Sequence, residues 1–178
     1  MSPDLENGSG ELPVKTLHLL RHAKSDWDDP KLPDEQRPLN GRGKRDAKRL
    51  ARHLELHPID VQLVFCSPAL RARRTLEAIL PSLGDAARSD EPTIYAASPD
   101  QLLRFVGQLP KGIGSVLLVG HNPGFEDLAN SLVPARKAPG AFPTCTLATL
   151  LFDTEEWSAI TPGSGRLAGF LTPDDFKS

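Results

Sequence analysis

Two histidines and two arginines stand directly behind apolar runs in three separate parts of the chain. "LHLL" (17–20) leads into Arg21-His22, "VQLVF" (61–65) into "CSPALR" with Arg71, and "SVLLV" (115–119) into "GHNPG" with His121. Guanidiniums present fixed forks of donors that match phosphate oxygens. An imidazole kept neutral by neighbouring cations and burial retains a lone pair that can attack phosphorus. A strand-end histidine taken alone is more often structural, but four such groups at three strand ends describe a phosphoryl pocket. In it His22 is the nucleophile, and Arg21, Arg71 and His121 stabilise charge on the phosphoryl oxygens. The other ring nitrogen of His22 must then carry a proton held by an acceptor such as a backbone carbonyl, which fixes the tautomer. Helical geometry does not select Arg71 over Arg73 or Arg74; Arg71 is preferred because it stands nearest the helix start, and hence the ligand edge.

Other chemistries fit less well. Arginines beside the imidazoles would repel a divalent cation, and Asp26, Asp28 and Asp29 lack the spacing of a calcium loop, so neither a metal nor another cofactor is expected. Cys66 ends a strand just before a helix, as in cysteine phosphatases, but that chemistry places its arginine one position further on than Arg71 stands. There is no Gly-rich loop followed by Lys-Ser or Lys-Thr, so a nucleotide-binding loop of that kind is not supported.

Residues with these tasks need a scaffold that brings strand ends together. The apolar runs at 16–20, 61–65, 93–95 (the weakest, "TIY"), 115–119, 145–152 and 166–171 alternate with helical patterns at about 43–56, 68–83, 99–109 and 124–133. Such alternation predicts an α/β fold, a three-layer α/β/α sandwich around a mostly parallel sheet of about six strands. Ligands bind outside the carboxyl ends of strands in open sheets of this kind. Ser67 reads as a helix cap with Pro68 at the first helical position. The last two runs are joined by a short segment rich in turn formers and read as a hairpin with an antiparallel edge strand.

Composition sets the outer limits. With 39% apolar and 25% charged residues, 178 residues make one domain, spanning 14–178 after a tail-like 1–13 that reads as disordered. No apolar run approaches the roughly 18 residues of a membrane helix and no secretory signal is evident, so a soluble, cytoplasmic monomer without membrane partners is expected. The net charge of −2 offers no general attraction to nucleic acid. The basic stretch 41–53 carries Ala47, Leu50, Ala51 and Leu54 at helical spacing, and reads as an amphipathic helix with a solvated basic face. Cys66 and Cys145 read as reduced core thiols.

The ordered segments "LLRHAKSDW", "RPLNGRGKRDA", "CSPALRARRT" and "LLVGHNPGFEDLA" resemble the signatures of the histidine phosphatase superfamily, with its phosphoglycerate-mutase-like fold, and within it the SixA-like phosphohistidine phosphatases. "FPTCTLATL" resembles a late strand of that branch. The resemblance implies that His22 is the phosphorylated nucleophile, Arg21 and Arg71 the phosphate-binding arginines, and His121 the second pocket histidine. Asn122 would add a contact, Lys24 and Ser25 would bind substrate, and Gly43 would permit close packing. Two departures stand out. Ala23 replaces the glycine usual after the nucleophile, and no acid between the second and third motifs matches the proton donor of the superfamily's esterases and mutases; Glu91 is the nearest candidate.

The absent acid bears on the substrate. An alkoxide leaving group needs a proton, whereas a protonated phosphoramidate nitrogen leaves readily without one. The expectation is therefore a metal-independent phosphatase acting on phosphohistidine in a protein. A phosphomonoesterase acting on a small phosphoester, or a non-catalytic phosphoryl-binding module, is the alternative. The one long loop, 23–38, leaves the pocket open to a side chain presented by a partner, with Trp27 packing the loop onto the body.

Overall fold

The computed structural model describes residues 14–177. The stretch 1–13 read as a tail lies outside the described residues. Six strands form one sheet: β1 (Val14–Arg21), β2 (Leu63–Cys66), β3 (Ala87–Asp90), β4 (Ser115–Gly120), β5 (Leu147–Asp153) and β6 (Arg166–Leu171). Their spatial order is β3-β2-β4-β1-β5-β6. The pairs β3–β2, β2–β4 and β4–β1 are parallel, while β5 runs antiparallel to both β1 and β6. The expected hairpin is thus β5–β6, with β6 on the edge.

Four helices sandwich the sheet: α1 (Gly41–Leu56), α2 (Leu70–Ile79), α3 (Pro99–Gly107) and α4 (Gly124–Leu132). Alternate residues of the strands feed two cores. On one face Leu20, Val64, Leu117 and Val119 pack with Leu50 and Leu54 of α1 and Leu76 and Ile79 of α2. On the other, Leu17, Leu19, Val116 and Leu118 pack with Val106 of α3 and Phe125 and Leu128 of α4. Both faces are covered, which is why β1 and β4 read as continuous apolar runs rather than alternating ones. No described helix is long and apolar enough to cross a membrane.

Two sequence readings are corrected. "TIY" is not a strand: Pro92–Ile94 forms a 3-10 turn whose first amide is capped by Glu91, and the strand lies earlier, at "ARSD". All four residues of β3 are exposed, so this edge strand is held by backbone pairing to β2 and carries no apolar pattern. Helix α2 begins at Leu70 rather than Pro68, and Ser67 is not its cap; Ala69 holds that position without a side-chain bond.

Helix α1 begins at Gly41, slightly before its expected start, and keeps the expected apolar stripe. Asn40 Oδ1 accepts from the Gly43 amide at 2.8 Å, and the buried stripe is Ala47, Leu50, Ala51 and Leu54. A Cβ at Gly43 would collide with the Lys24 backbone carbonyl, so glycine is what lets the helix lie against the segment just after His22.

Candidate active site

The strands that end in the proposed chemistry are neighbours. Within β2-β4-β1, the register pairs Arg21 with Gly120 and Cys66 with Val119. The His22 amide continues this ladder to the Gly120 carbonyl at 3.0 Å, and the Ser67 amide bonds the Val119 carbonyl at 2.9 Å. His22, Ser67 and His121 therefore leave the sheet side by side, at its carboxyl edge. The two imidazole centroids lie 5.1 Å apart.

Each side chain is fixed by bonds the fold supplies. His22 Nδ1 lies 2.7 Å from the carbonyl oxygen of Ala23, so Nδ1 carries the proton and donates it, and Nε2 holds the lone pair. Arg71 Nε donates to that Nε2 at 3.3 Å, and Arg71 Nη2 faces His121 Nδ1 at 3.4 Å. A guanidinium has no acceptor, so His121 Nδ1 accepts and its Nε2–H donates to Ser67 Oγ, 2.7 Å away. Thr75, one helical turn after Arg71, accepts from the Ala23 amide at 2.9 Å and donates to the Arg71 carbonyl at 2.7 Å, tying the segment after His22 to α2.

Arg21 is braced from the other side. Its Nη1 donates to the Phe142 carbonyl at 2.7 Å, and the Cys145 amide bonds the carbonyls of both Arg21 (3.1 Å) and His22 (3.0 Å). Cys145 reaches this position with φ of 61°, in the left-handed region. Arg21 Nε is buried without a hydrogen-bond partner among the described residues, which makes it an open donor.

Both histidines are held neutral. Burial pushes His22 down to about 4, helped by the charges of Arg71 and Arg21 and opposed by the Ala23 carbonyl. His121 is pushed down to about 3 by burial, His22 and Arg71. Burial lifts the Cys66 thiol to about 12, so it is not a thiolate nucleophile. Cys145 is likewise buried and lifted to about 12.

The structure gathers His22, Arg21, Arg71 and His121 into one cluster. Asn122 joins its margin: Nδ2 donates to the Phe142 carbonyl at 3.0 Å and to Glu126 Oε2 at 3.1 Å, leaving Oδ1 buried and unpartnered among the described residues. Ser25 and Lys24 are placed otherwise. Ser25 is buried, accepts from Trp27 Nε1 at 3.0 Å and forms a bridge to Leu39 that closes the base of the loop. Lys24 contributes its backbone, beneath α1, and its side chain is exposed without a hydrogen bond among the described residues. Glu91 turns its carboxylate to the Thr93 amide and hydroxyl, at 3.0 and 2.6 Å, and touches none of the four.

Several members of the site were not read as such from sequence. Asp34, in a 3-10 turn at Asp34–Gln36, pairs with Arg71 Nη2 at 2.9 Å through Oδ2, and its carbonyl accepts from Arg71 Nη1 at 2.6 Å. Tyr95 donates its hydroxyl to the same Oδ2 at 2.6 Å. The Tyr95 bond and Arg71 hold the Asp34 carboxyl below its ordinary value. Ser67 orients His121, and Thr75 could have been found from its position four residues after Arg71, on the same helical face. Trp27 packs on the loop rather than the body, stacking on Arg37 with the guanidinium carbon 4.0 Å from the ring centroid.

A family model for the histidine phosphatase superfamily (branch 1) matches residues 17–92. An uncharacterized protein of Mycobacterium tuberculosis is 32% identical over 162 residues, 86% of this chain and 99% of its own. The phosphohistidine phosphatase SixA of Escherichia coli is 27% identical over 166 residues, 90% of this chain and 96% of its own. Among solved structures, a candidate SixA phosphohistidine phosphatase from Nakamurella multipartitia superposes with a TM-score of 0.76 at 28% identity, covering 90% of this chain and 96% of that one. The phosphoglycerate-mutase-like α/β fold is thus shared with proteins of similar length, and the chain belongs to the histidine phosphatase superfamily.

Proposed function

We propose that the protein is a phosphatase that removes the phosphoryl group from phosphohistidine on a partner protein, through a phosphohistidine intermediate on His22. The observation that carries this reading is the His22 tautomer: Nδ1–H is committed to the Ala23 carbonyl, and the Nε2 lone pair faces the donors of Arg71. In the first half-reaction Nε2 bonds phosphorus as the phosphorus–nitrogen bond of the substrate breaks, and its electron pair stays on the departing imidazole. In the second, water attacks phosphorus, the bond to Nε2 breaks, the protons of water remain on the phosphate, and His22 is again neutral. Arg71 Nε, released from Nε2 once that atom is bonded, passes to a phosphoryl oxygen; Arg21 Nε supplies a second donor. The two guanidiniums provide the positive charge, so no metal is needed.

Phosphohistidine is favoured over phosphoesters because no acid stands ready. Glu91 is engaged with Thr93, and Asp34 is held ionised. An imidazole protonated on its far nitrogen leaves as a neutral molecule, whereas an alkoxide would wait for a proton. The similar Escherichia coli protein is named for this activity.

The test is a phosphohistidine protein or peptide offered beside small phosphomonoesters, in chelator, with a search for an acid-labile phosphoenzyme. Turnover and label are expected in the wild type and absent in His22→Ala. Phosphate binding with neither label nor turnover would make the protein a binding module. Much faster turnover of a phosphomonoester than of every phosphohistidine substrate would make it an esterase.

A further inference from the structure

The carboxylate at the mouth of this pocket has no part in the reaction as described so far. Asp34 stands between Arg71 and solvent: its side chain is 46% exposed, that of Arg71 only 9%. The 3-10 turn that carries it is built into the 23–38 loop by several independent ties. The Ser25–Leu39 bridge closes the base, the Asp26 amide donates to the Pro38 carbonyl at 2.8 Å, and buried Arg37 donates to the Asp29 carbonyl at 3.1 Å while Trp27 covers its guanidinium. Asp34 Oδ2 is occupied by Arg71 and Tyr95, and among the described residues no hydrogen bond reaches Oδ1. One oxygen is clamped and the other is free, on a side chain that remains nearly half exposed.

From this geometry we infer that Asp34 is a specificity-determining residue, whose Oδ1 receives the far-nitrogen N–H of a substrate phosphoimidazole. The inference rests on the phosphohistidine reading above. It gives the two imidazoles of the transfer matching support. The proton on His22 Nδ1 is held by the Ala23 carbonyl, and the proton on the substrate's far nitrogen is held by Asp34. A phosphoimidazole is labile when that nitrogen is protonated, and a fixed carboxylate favours the protonated form. During transfer the phosphorus–nitrogen bond breaks, its electrons neutralise the substrate ring, and the N–H stays where it was, so Asp34 neither gains nor loses a proton. Transfer does not require Arg71 to leave Asp34, because Nη1 and Nη2 keep their Asp34 partners while Nε turns to the phosphoryl oxygen. The same carboxylate repels small phosphoesters that bring further negative charge to the mouth. The charged and titratable groups around Asp34 are Arg71 of α2, Tyr95, His121 and His22, with Glu35 beside it in the same turn; His121 Nδ1 and Tyr95 Oη already face Arg71 and Asp34.

The experiment compares wild type with Asp34→Asn on two substrates at mildly alkaline pH: a phosphohistidine peptide and p-nitrophenyl phosphate, whose leaving group needs no proton. For the peptide, kcat/KM is expected to fall roughly tenfold or more in Asp34→Asn, the scale of a lost charged hydrogen bond. For p-nitrophenyl phosphate, which needs Arg71 but presents no N–H to Asp34, the loss should be several-fold smaller than for the peptide, about the share that comes from loosening Arg71. Tyr95→Phe, which removes only the hydroxyl that clamps Oδ2, should shift the ratio of the two activities in the same direction and provides a second variant if Asp34→Asn does not fold. Equal losses on both substrates would mean that Asp34 acts only by holding Arg71, and unchanged peptide turnover would mean that it has no role; either result overturns this inference alone. A wild type that hydrolyses p-nitrophenyl phosphate but no phosphohistidine overturns the function reading, and this one with it.

Discussion

Arg71 Nε donates to His22 Nε2 across 3.3 Å, so the guanidinium proposed to bind phosphate and the lone pair proposed to attack it face each other. The same guanidinium reaches Asp34 with Nη1 and Nη2. A lysine has a single point of charge and cannot make these contacts together. In Arg71→Lys, kcat/KM toward a phosphohistidine peptide should therefore fall roughly a hundredfold or more, with most of the loss in kcat, while the thermal transition stays cooperative. Steady-state kinetics alongside a melting curve decide it.

The tautomers make a spectroscopic prediction. Histidine side-chain resonances of the free protein should show His22 protonating near pH 4 and His121 near pH 3, with His22 carrying its proton on Nδ1 and His121 on Nε2 when neutral. A midpoint near the ordinary histidine value for His22 would mean that the imidazole is wet and its nucleophilicity unprotected.

The same shifts set how stability depends on pH. Both histidines bind protons more tightly in the unfolded chain than in the folded one, so the unfolded state gains protons as pH falls from about 6.5 toward 4 and stability declines through that window. At pH 5 each contributes a loss on the order of 2 kcal/mol relative to neutral pH. Urea unfolding at pH 7 and pH 5 should show a smaller difference for His22→Asn than for wild type. An equal difference would remove His22 from this balance.

Gly43→Ala tests the packing of α1 against the active-site segment. The added methyl meets the Lys24 backbone, which cannot rotate away, so the helix or the segment after His22 must move. A destabilisation of about 1–3 kcal/mol is expected, with reduced kcat although the position is outside the pocket. Chemical denaturation and turnover measured on the same preparation check both.

Ser67→Ala removes the acceptor of His121 Nε2–H and also the oxygen bonded by the Ala69 amide at 3.3 Å. A buried donor left unpaired costs about 1–3 kcal/mol, and His121 should lose its fixed orientation. The expected result is lower stability with kcat reduced more than KM is raised. Unaltered turnover would show that His121 is oriented by Arg71 alone.

Much of the fold was legible because β1 and β4 are buried strands and α1 and α4 bury one face, and burial writes a pattern. Leu17, Leu19 and Leu20 or Val116 to Val119 leave no other reading. The pocket was legible for the same reason: His22 and His121 follow directly from buried strands whose ends are easily found. β3 was not, because an exposed edge strand needs only its backbone, and "ARSD" carries no apolar signal while the β-prone "TIY" follows Pro92 into a turn. Ser67 was read as a cap because sequence shows its distance from α2 and not its distance from His121, which is 54 positions away along the chain. Asp34 was hidden because loop conformation depends on ties such as Arg37 to the Asp29 carbonyl and Trp27 to Ser25, which have no periodicity. Lys24 and Ser25 show the converse: proximity to the nucleophile in sequence did not make their side chains part of the cluster.

The position of β1 has a consequence for biosynthesis. It lies inside the sheet, between β4 and β5, so it is completed only by a strand made more than a hundred residues later. The amide that bonds the carbonyls of Arg21 and His22 belongs to Cys145, more than a hundred residues downstream. A nascent or truncated chain that lacks β5 and β6 can have His22, Arg21, Arg71 and His121 and still not hold His22 in place. The phosphoryl transfer proposed for His22 should thus begin only after β5 has been made, and phosphoenzyme formation can serve as a reporter of sheet completion during translation.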